Sequence, residues 1–236
     1  MNSRAQPMQP AGALLGAGAV LVWNDIAAPG REQFYQWRDQ EHIPERLAIA
    51  GFRRGRRYIK PGHSPEWLTF YEADDLDVLV SPAYLARLNA PTPATASALL
   101  HFRNTSRAVC RVVHSTGSSS GGHVLALRLE APAAQRDAVG RHLIECVVER
   151  VSALVGVLAG HLFVADQPAS RLDTTESSTR AFDVPSWVLL VETSTVDAAL
   201  RAQHLIDGPD LARLGVSLRS DAAVYALEIC RLAQPN

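Results

Sequence analysis

Hydrophobic and polar positions alternate between two periods along this chain. Residues 17–23 form a short continuous apolar run, as a buried strand does. Pro29 and Gly30 then open a stretch in which Phe34, Trp37 and Leu47 fall on one helical stripe. Pro44 interrupts it. Because proline disfavours the α conformation in the residue before it, Ile43 reads as a bend carrying His42, and Pro44 starts a second helical segment. Gly51 ends that helix, residues 52–59 alternate as a strand closed by Pro61 and Gly62, and residues 67–72 form a third strand. A helix follows over about 76–89, Pro91 and Pro93 frame a loop before a minor helical turn, and residues 106–114 make a fourth strand. The order is βαββαβ.

A Gly/Ser-rich joint follows, with the composition of a flexible linker. Beyond it the same order returns: strand 123–130, helix from 132 to about 154, strands 157–165 and 184–192, helix 195–206 and strand 221–231. The recurrence can be traced by residue. Glu41, Glu45 and Arg46 match Glu145, Glu149 and Arg150. Gly51, Gly55 and Tyr58 match Gly156, Gly160 and Phe163, and Pro65, Trp67 and Glu72 match Pro185, Trp187 and Glu192. The expected division is a disordered tail over 1–10, a first unit over 11–115, a linker over 116–122 and a diverged second unit over 123–236. The segment 166–183, polar and rich in Ser and Thr, replaces a much shorter turn and reads as a lid or a disordered loop.

Composition narrows the chemistry. With 23 basic against 24 acidic residues the chain has no long-range field favouring nucleic acid or an anionic membrane. Cys110, Cys146 and Cys230 are widely spaced among apolar neighbours and read as buried thiols in a reducing, cytoplasmic compartment. Arg4 and the apolar run from residue 11 to 23 only faintly resemble a signal peptide, and no other stretch is apolar for long enough to cross a membrane. Phosphate loops and nucleophile elbows are absent from the sequence.

The run Glu41-His42-Ile43-Pro44-Glu45-Arg46-Leu47, with Trp37, Gly51-Phe52, Arg56-Arg57-Tyr58, Ser81-Pro82-Ala83-Tyr84-Leu85 and Pro91-Thr92, resembles the dimeric α+β barrel superfamily, in a bacterial branch near the EthD-like group. The likeness covers roughly residues 17–110. It implies an α+β fold in which two ferredoxin-like units place their sheets face to face, here both supplied by one chain as tandem βαββαβ repeats. The physics agrees. A four-stranded unit with helices on one face must cover its other face, and tethering two copies raises their effective concentration for each other. Members of that superfamily include small monooxygenases, haem-degrading enzymes, isomerases and cyclases, so the fold alone chooses no reaction.

Residues present in one copy only are the sharper candidates. His42 aligns with Cys146, Arg56 with His161, Arg57 with Leu162 and Tyr71 with Val191. An imidazole at 42 can move a proton near neutrality, with Glu41 or Asp39 beside it; the plainer reading braces the helix bend. On a strand, Arg54, Arg56 and Tyr58 share one face while Arg53 and Arg57 share the other. A guanidinium there can hold a carboxylate or enolate, or simply pair with Glu41, Glu45 or Glu72. The recurring Glu41, Glu45 and Arg46 are assigned to structure. His161 and Asp166 lack a nearby nucleophile, and the histidines show no metal-ligand spacing, so no metal and no cofactor is expected.

Two expectations result. In the first, the chain is a cofactor-independent enzyme or binder for a small aromatic or carbonyl-containing metabolite, with monooxygenase-, isomerase- or cyclase-like chemistry. His42 and Arg57 are then catalytic, and Arg56, Tyr58, Trp67, Tyr71 and Trp37 bind substrate around a cavity between the sheets. In the second it is a non-catalytic ligand-binding or interaction module with a filled barrel. A filled interior would sink the first. A small-molecule ligand and a homodimer of the two-unit chain are the partners considered.

Overall fold

The computed structural model describes residues 13–179, 181–206, 209–218 and 222–234, and the tail expected over 1–10 lies outside them. β1 (Gly18–Ile26), β2 (Phe52–Ile59), β3 (Trp67–Ala73) and β4 (Phe102–Gly117) form the first unit in the order β4-β1-β3-β2. The second unit has β5 (His123–Glu130), β6 (Val157–Ala165) and β7 (Trp187–Thr193). The two-residue β8 (Ser217–Leu218) extends the end of β5, and β9 (Ala223–Leu232) completes the order β9-β5-β7-β6. Every neighbouring pair is antiparallel. β4 pairs with β6 and β2 with β9, which closes eight strands into a barrel. The sheet faces and edges that each unit would offer a second chain are thus used within this one. No described helix is long and apolar enough to cross a membrane.

The alternation read from residues 52–58 holds in three dimensions. Arg54, Arg56 and Tyr58 point into the barrel, and Gly55 faces outward: a Cβ there would lie 3.1 Å from both Ile43 and Tyr71. Inside, Leu21, Trp23, Tyr58, Leu68, Phe70, Phe163, Val188, Leu190 and Tyr225 pack as one core, with Phe70 and Phe163 meeting edge-to-face at 5.6 Å across the two units. Such pairing adds directional attraction to apolar burial. The cavity expected between the sheets is therefore filled, because large aromatic side chains from both units occupy it.

One end of the interior carries charge instead. Glu72 Oε1 accepts from Arg54 Nε at 2.7 Å and from Arg56 Nη2 at 2.9 Å. Arg56 Nη1 donates to Glu192 Oε1 at 2.7 Å, and His161 Nε2 stands 3.2 Å from the same oxygen. The strand registers put Arg56 opposite Phe70 and His161 opposite Leu190, so they are equivalent positions of the two units, as are Glu72 and Glu192. The segments entering each first strand close the network: Leu15 N–H donates to Glu72 Oε2 and Gly121 N–H to Glu192 Oε2, both at 2.8 Å. Ser120 Oγ accepts from Arg54 at 3.1 Å, and residues 115–117 belong to β4, so much of the expected linker is tied down.

The helical layer corrects one expectation. Ile43 has φ −64 and ψ −48, and no bend occurs at Pro44. α1 (Arg31–Trp37), a π-helical turn (Arg38–His42) and α2 (Ile43–Leu47) run on as one helix, with Ile43 N–H reaching Arg38 O five residues back. A widened turn tolerates a residue without an N–H. The second unit makes the same turn over Leu143–Val148 with Val148 in place of proline, so proline is not its cause. α3 (Pro82–Asn89) starts on a Ser81 cap and α4 (Pro93–Leu99) on Thr92. The second unit's helices, including α5 (Arg136–His142), α6 (Glu149–Ser152) and a later one over Val196–Ile206, cover a continuous apolar cluster. Of the three cysteines only Cys110 is buried; Cys146 is half-buried and Cys230 exposed, since the β9 end that carries Cys230 lies largely open to solvent.

Burial raises the Glu192 carboxyl, but the His161 hydrogen bond and the Arg56 charge outweigh it and hold the group at about 2, against an ordinary 4.5. The unfolded chain takes up that proton first as pH falls. The stability contributed is therefore complete above about pH 5 and disappears toward pH 2, worth about 3 kcal/mol in all. Urea unfolding of the wild type and Glu192→Gln between pH 7 and pH 2.5 is expected to show a steep acid limb only in the wild type; equal slopes would refute the assignment.

Candidate functional site

The first unit differs from the second on its outer, helix-covered face. Val20 and Val22 of β1 and Tyr71 of β3 meet Trp37, Arg38, His42 and Arg46 from the α1-π-α2 helix, and Tyr84, Leu88, Leu99, Phe102 and Arg107 complete the walls of a cleft. Its free volume is about 40 Å³, room for a few waters. Glu176 closes it from the segment between β6 and β7 of the second unit.

Helical spacing builds the polar stripe. Arg38, His42 and Arg46 stand four apart and so share one face. Trp37 is fixed by its Nε1–H, which donates to Thr95 Oγ1 at 2.9 Å, and the His42 ring tilts against it at 4.4 Å between centroids. Tyr71 presents its edge to His42 at 6.3 Å. Arg38 is 2 % exposed, donates to Thr69 Oγ1 at 3.2 Å and lies against the rings of Trp37, Phe34 and Phe102 at 5.0 to 5.8 Å. Among the described residues no carboxylate pairs with it, and Arg38 Nε, Arg46 Nη1 and the Tyr71 hydroxyl have no hydrogen-bond partner. Burial accordingly lowers the Arg38 pKa and raises that of Tyr71. Burial also opposes the Arg46 charge, but Glu176 and the Tyr84 and Tyr71 hydroxyls raise its pKa on balance.

Of the residues singled out from the sequence, His42, Tyr71 and Trp37 meet at this cleft. Arg57 is outward-facing but clamped between Asp39 and Glu228, the latter at 2.7 Å, with the Tyr35 ring 4.7 Å from its guanidinium. Arg56 and Tyr58 are inside the barrel, where Arg56 bridges two carboxylates. Trp67 packs under Phe34 and Arg31 at 5.1 and 4.6 Å. His161 has Ser115 Oγ at 2.9 Å on Nδ1 and Glu192 on Nε2, inside the barrel. Asp166 accepts from Ala169 N–H and pairs with Arg111 at 3.0 Å.

Sequence reasoning misses Arg38 and Arg46. It assigns Arg46 to structure because Arg150 recurs in the second unit, yet Arg46 is buried against Glu176 while Arg150 is exposed. The four-residue spacing through His42 is the available signal for both. The second unit has Val191 for Tyr71 and Cys146 for His42, and apolar packing where the cleft would be.

No protein-family model matches the sequence, and no curated protein does. Solved structures similar in fold include an anthrone oxidase-like protein (13% identity, TM-score 0.60, 95% of this chain and 96% of that one). A putative monooxygenase from Lactobacillus acidophilus NCFM matches at 9% identity and TM-score 0.52 over 92% and 96%. A haem-binding protein from Thermus thermophilus matches at 13% identity and TM-score 0.51 over 90% and 91%. The free volume of the cleft, about 40 Å³, stands below the 300 Å³ or more of usual ligand pockets, so a haem or any smaller aromatic ligand requires the cleft to open. At these identities the likeness speaks for architecture. The chain has a closed, dimeric-type α+β barrel fold, with both ferredoxin-like units in one polypeptide.

Proposed function

We propose that the helix–sheet cleft of the first unit, once its walls move apart, binds a small aromatic or carbonyl-containing metabolite and moves a proton on it without a cofactor. The observation that carries this reading is Arg38, a buried guanidinium with no carboxylate partner among the described residues, facing a cleft beside an imidazole. Burying such a charge costs several kcal/mol, a cost that an arriving anionic oxygen offsets. In the proposed step the His42 imidazole takes a proton from the carbon next to a carbonyl, the C–H electrons form the enolate, and Arg38 holds the oxygen that becomes negative. Trp37, Phe102 and Leu99 provide apolar walls, and the Tyr71 hydroxyl, kept protonated by burial, is a second donor. That step is common to isomerases, cyclases and cofactor-independent oxygenases, and the names anthrone oxidase-like and monooxygenase among the structural neighbours are compatible with it. The closer kinship with the EthD-like group belongs to the same proposal, since its run from Glu41 to Leu47 supplies the cleft-lining His42 and Arg46.

The filled barrel sinks the enzyme reading drawn from the sequence, which needed a cavity between the sheets, and favours a non-catalytic binding module; the cleft reading proposed here is a different one. Phenylpyruvate separates the two, because it carries an aromatic ring, a ketone and an exchangeable benzylic carbon. In heavy water the wild type is expected to accelerate benzylic exchange, read by NMR, and His42→Ala and Arg38→Met to reduce that acceleration at least ~100-fold, the usual scale of a lost general base or oxyanion partner. No acceleration by the wild type would leave the binding-module reading. Arg38→Met is further expected to raise folding stability by about 1 to 2 kcal/mol, since it removes a buried charge that only a ligand satisfies; a drop in the urea midpoint would contradict the role given to Arg38.

A further inference from the structure

The segment joining β6 to β7 belongs to the second unit by sequence but lies on the first. It leaves the barrel where Ser170 Oγ accepts from Val109 N–H at 2.9 Å, and it returns where Arg107 N–H donates to Asp183 O at 3.0 Å. Between these anchors, residues 173–179 cross the mouth of the cleft. Glu176 N–H donates to Leu88 O, and Thr175 N–H and Oγ1–H donate to Asn89 Oδ1 and O, all at 3.1 Å. The Glu176 carboxylate reaches past them to Arg46, 130 residues away in sequence.

This ion pair has the features of an occupied ligand site. Arg46 Nη1 keeps no hydrogen-bond partner among the described residues, its contact with Glu45 being a looser 3.8 Å, and Arg38 Nε beside it has none either. Arg107, on the same walls, is hydrogen-bonded to the neutral oxygens of Ser170 and Tyr84, each at 3.3 Å. Three guanidinium groups thus face one carboxylate on the cleft walls. A second void of about 20 Å³ lies beyond Glu176, lined by Leu79, Ala169, Leu172 and Phe182 with Thr174 and Ser177, and shares Leu88, Arg107 and Glu176 with the first. Glu176 thus stands on the wall between the two. A carboxylate in a cleft where further donors stay unsatisfied is open to replacement by another that reaches more of them.

Resting on the site proposed above, we infer that Glu176 is an internal ligand: it holds the place of a substrate carboxylate, and a small aryl carboxylate opens the segment 173–179 by replacing it on Arg46 and reaching Arg38 as well. The anchors at Val109 and Asp183 let the segment lift without disturbing the barrel. Binding and opening are then one event.

Calorimetric titration with 3-phenylpropionate tests this, since that acid binds but cannot enolise. Glu176→Gln and Glu176→Ala are expected to bind it at least tenfold more tightly than wild type, and Arg38→Met to weaken binding at least tenfold in either background. Hydrogen exchange at Thr175 and Glu176 is expected to accelerate when the wild type is saturated. Thermal melts identify variants that fail to fold, and Glu176→Gln, which keeps the side-chain shape, decides if Glu176→Ala does not fold. Arg38-dependent binding that neither Glu176 variant tightens overturns the internal-ligand inference and leaves the site standing. Binding indifferent to Arg38, or none in any folded variant, overturns the site reading and this inference with it.

Discussion

Arg56 joins two carboxylates that belong to different units, and both the closure and the register of the barrel depend on it. Each charge taken into a protein interior costs several kcal/mol, and attraction repays this only where the remaining lone pairs and protons are also served. Here they largely are: Glu72 and Glu192 receive guanidinium hydrogens on one side and the amides of Leu15 and Gly121 on the other. A one-residue slip of β2 against β3 would point Arg56 at the helices and leave both carboxylates buried without it. The network therefore selects one pairing of the two sheets, which aromatic packing alone would tolerate in several.

That constraint determines where function can lie. A barrel whose end holds a charge network and whose middle holds Phe70 against Phe163 is packed with side chains, which leaves the helix-covered faces as the place where the two units differ most. There the units are free to diverge, because the barrel contacts do not pass through them. The second unit fills its face with apolar side chains. The first keeps Arg38, His42 and Tyr71 on its own, and the second unit's insertion reaches over to cover them.

Much of the architecture could be read from the chain, because it is written in local periods. The two-residue alternation of Arg54, Arg56 and Tyr58 gave their common face, and the spacing of strands and helices gave two βαββαβ units. The cleft was less legible. Comparing the two halves by residue identity treats Arg46 and Arg150 alike, yet their environments are opposite, and the partner that buries Arg46 lies 130 positions away. Arg38 in a helix reads as a solvated charge, since nothing local shows that Phe102 and Phe34 will enclose it. Pro44 was legible but misleading: proline normally breaks a helix, whereas a π turn that the second unit makes without proline already leaves a carbonyl free of the missing donor.

The same contrast bears on what the cleft is for. Arg56 and Arg57 are buried cations as well, and Arg56 Nε also lacks a hydrogen-bond partner, but each is neutralised by two carboxylates. Arg38 has a threonine hydroxyl and three aromatic faces, which soften its desolvation without neutralising it. A methionine would pack in that place at lower cost, so packing alone does not account for an arginine there. The charge is accounted for if an anion visits the cleft, and the carboxylate of Glu176, brought from the other unit to the arginine one helical turn beyond His42, shows the kind of group that fits.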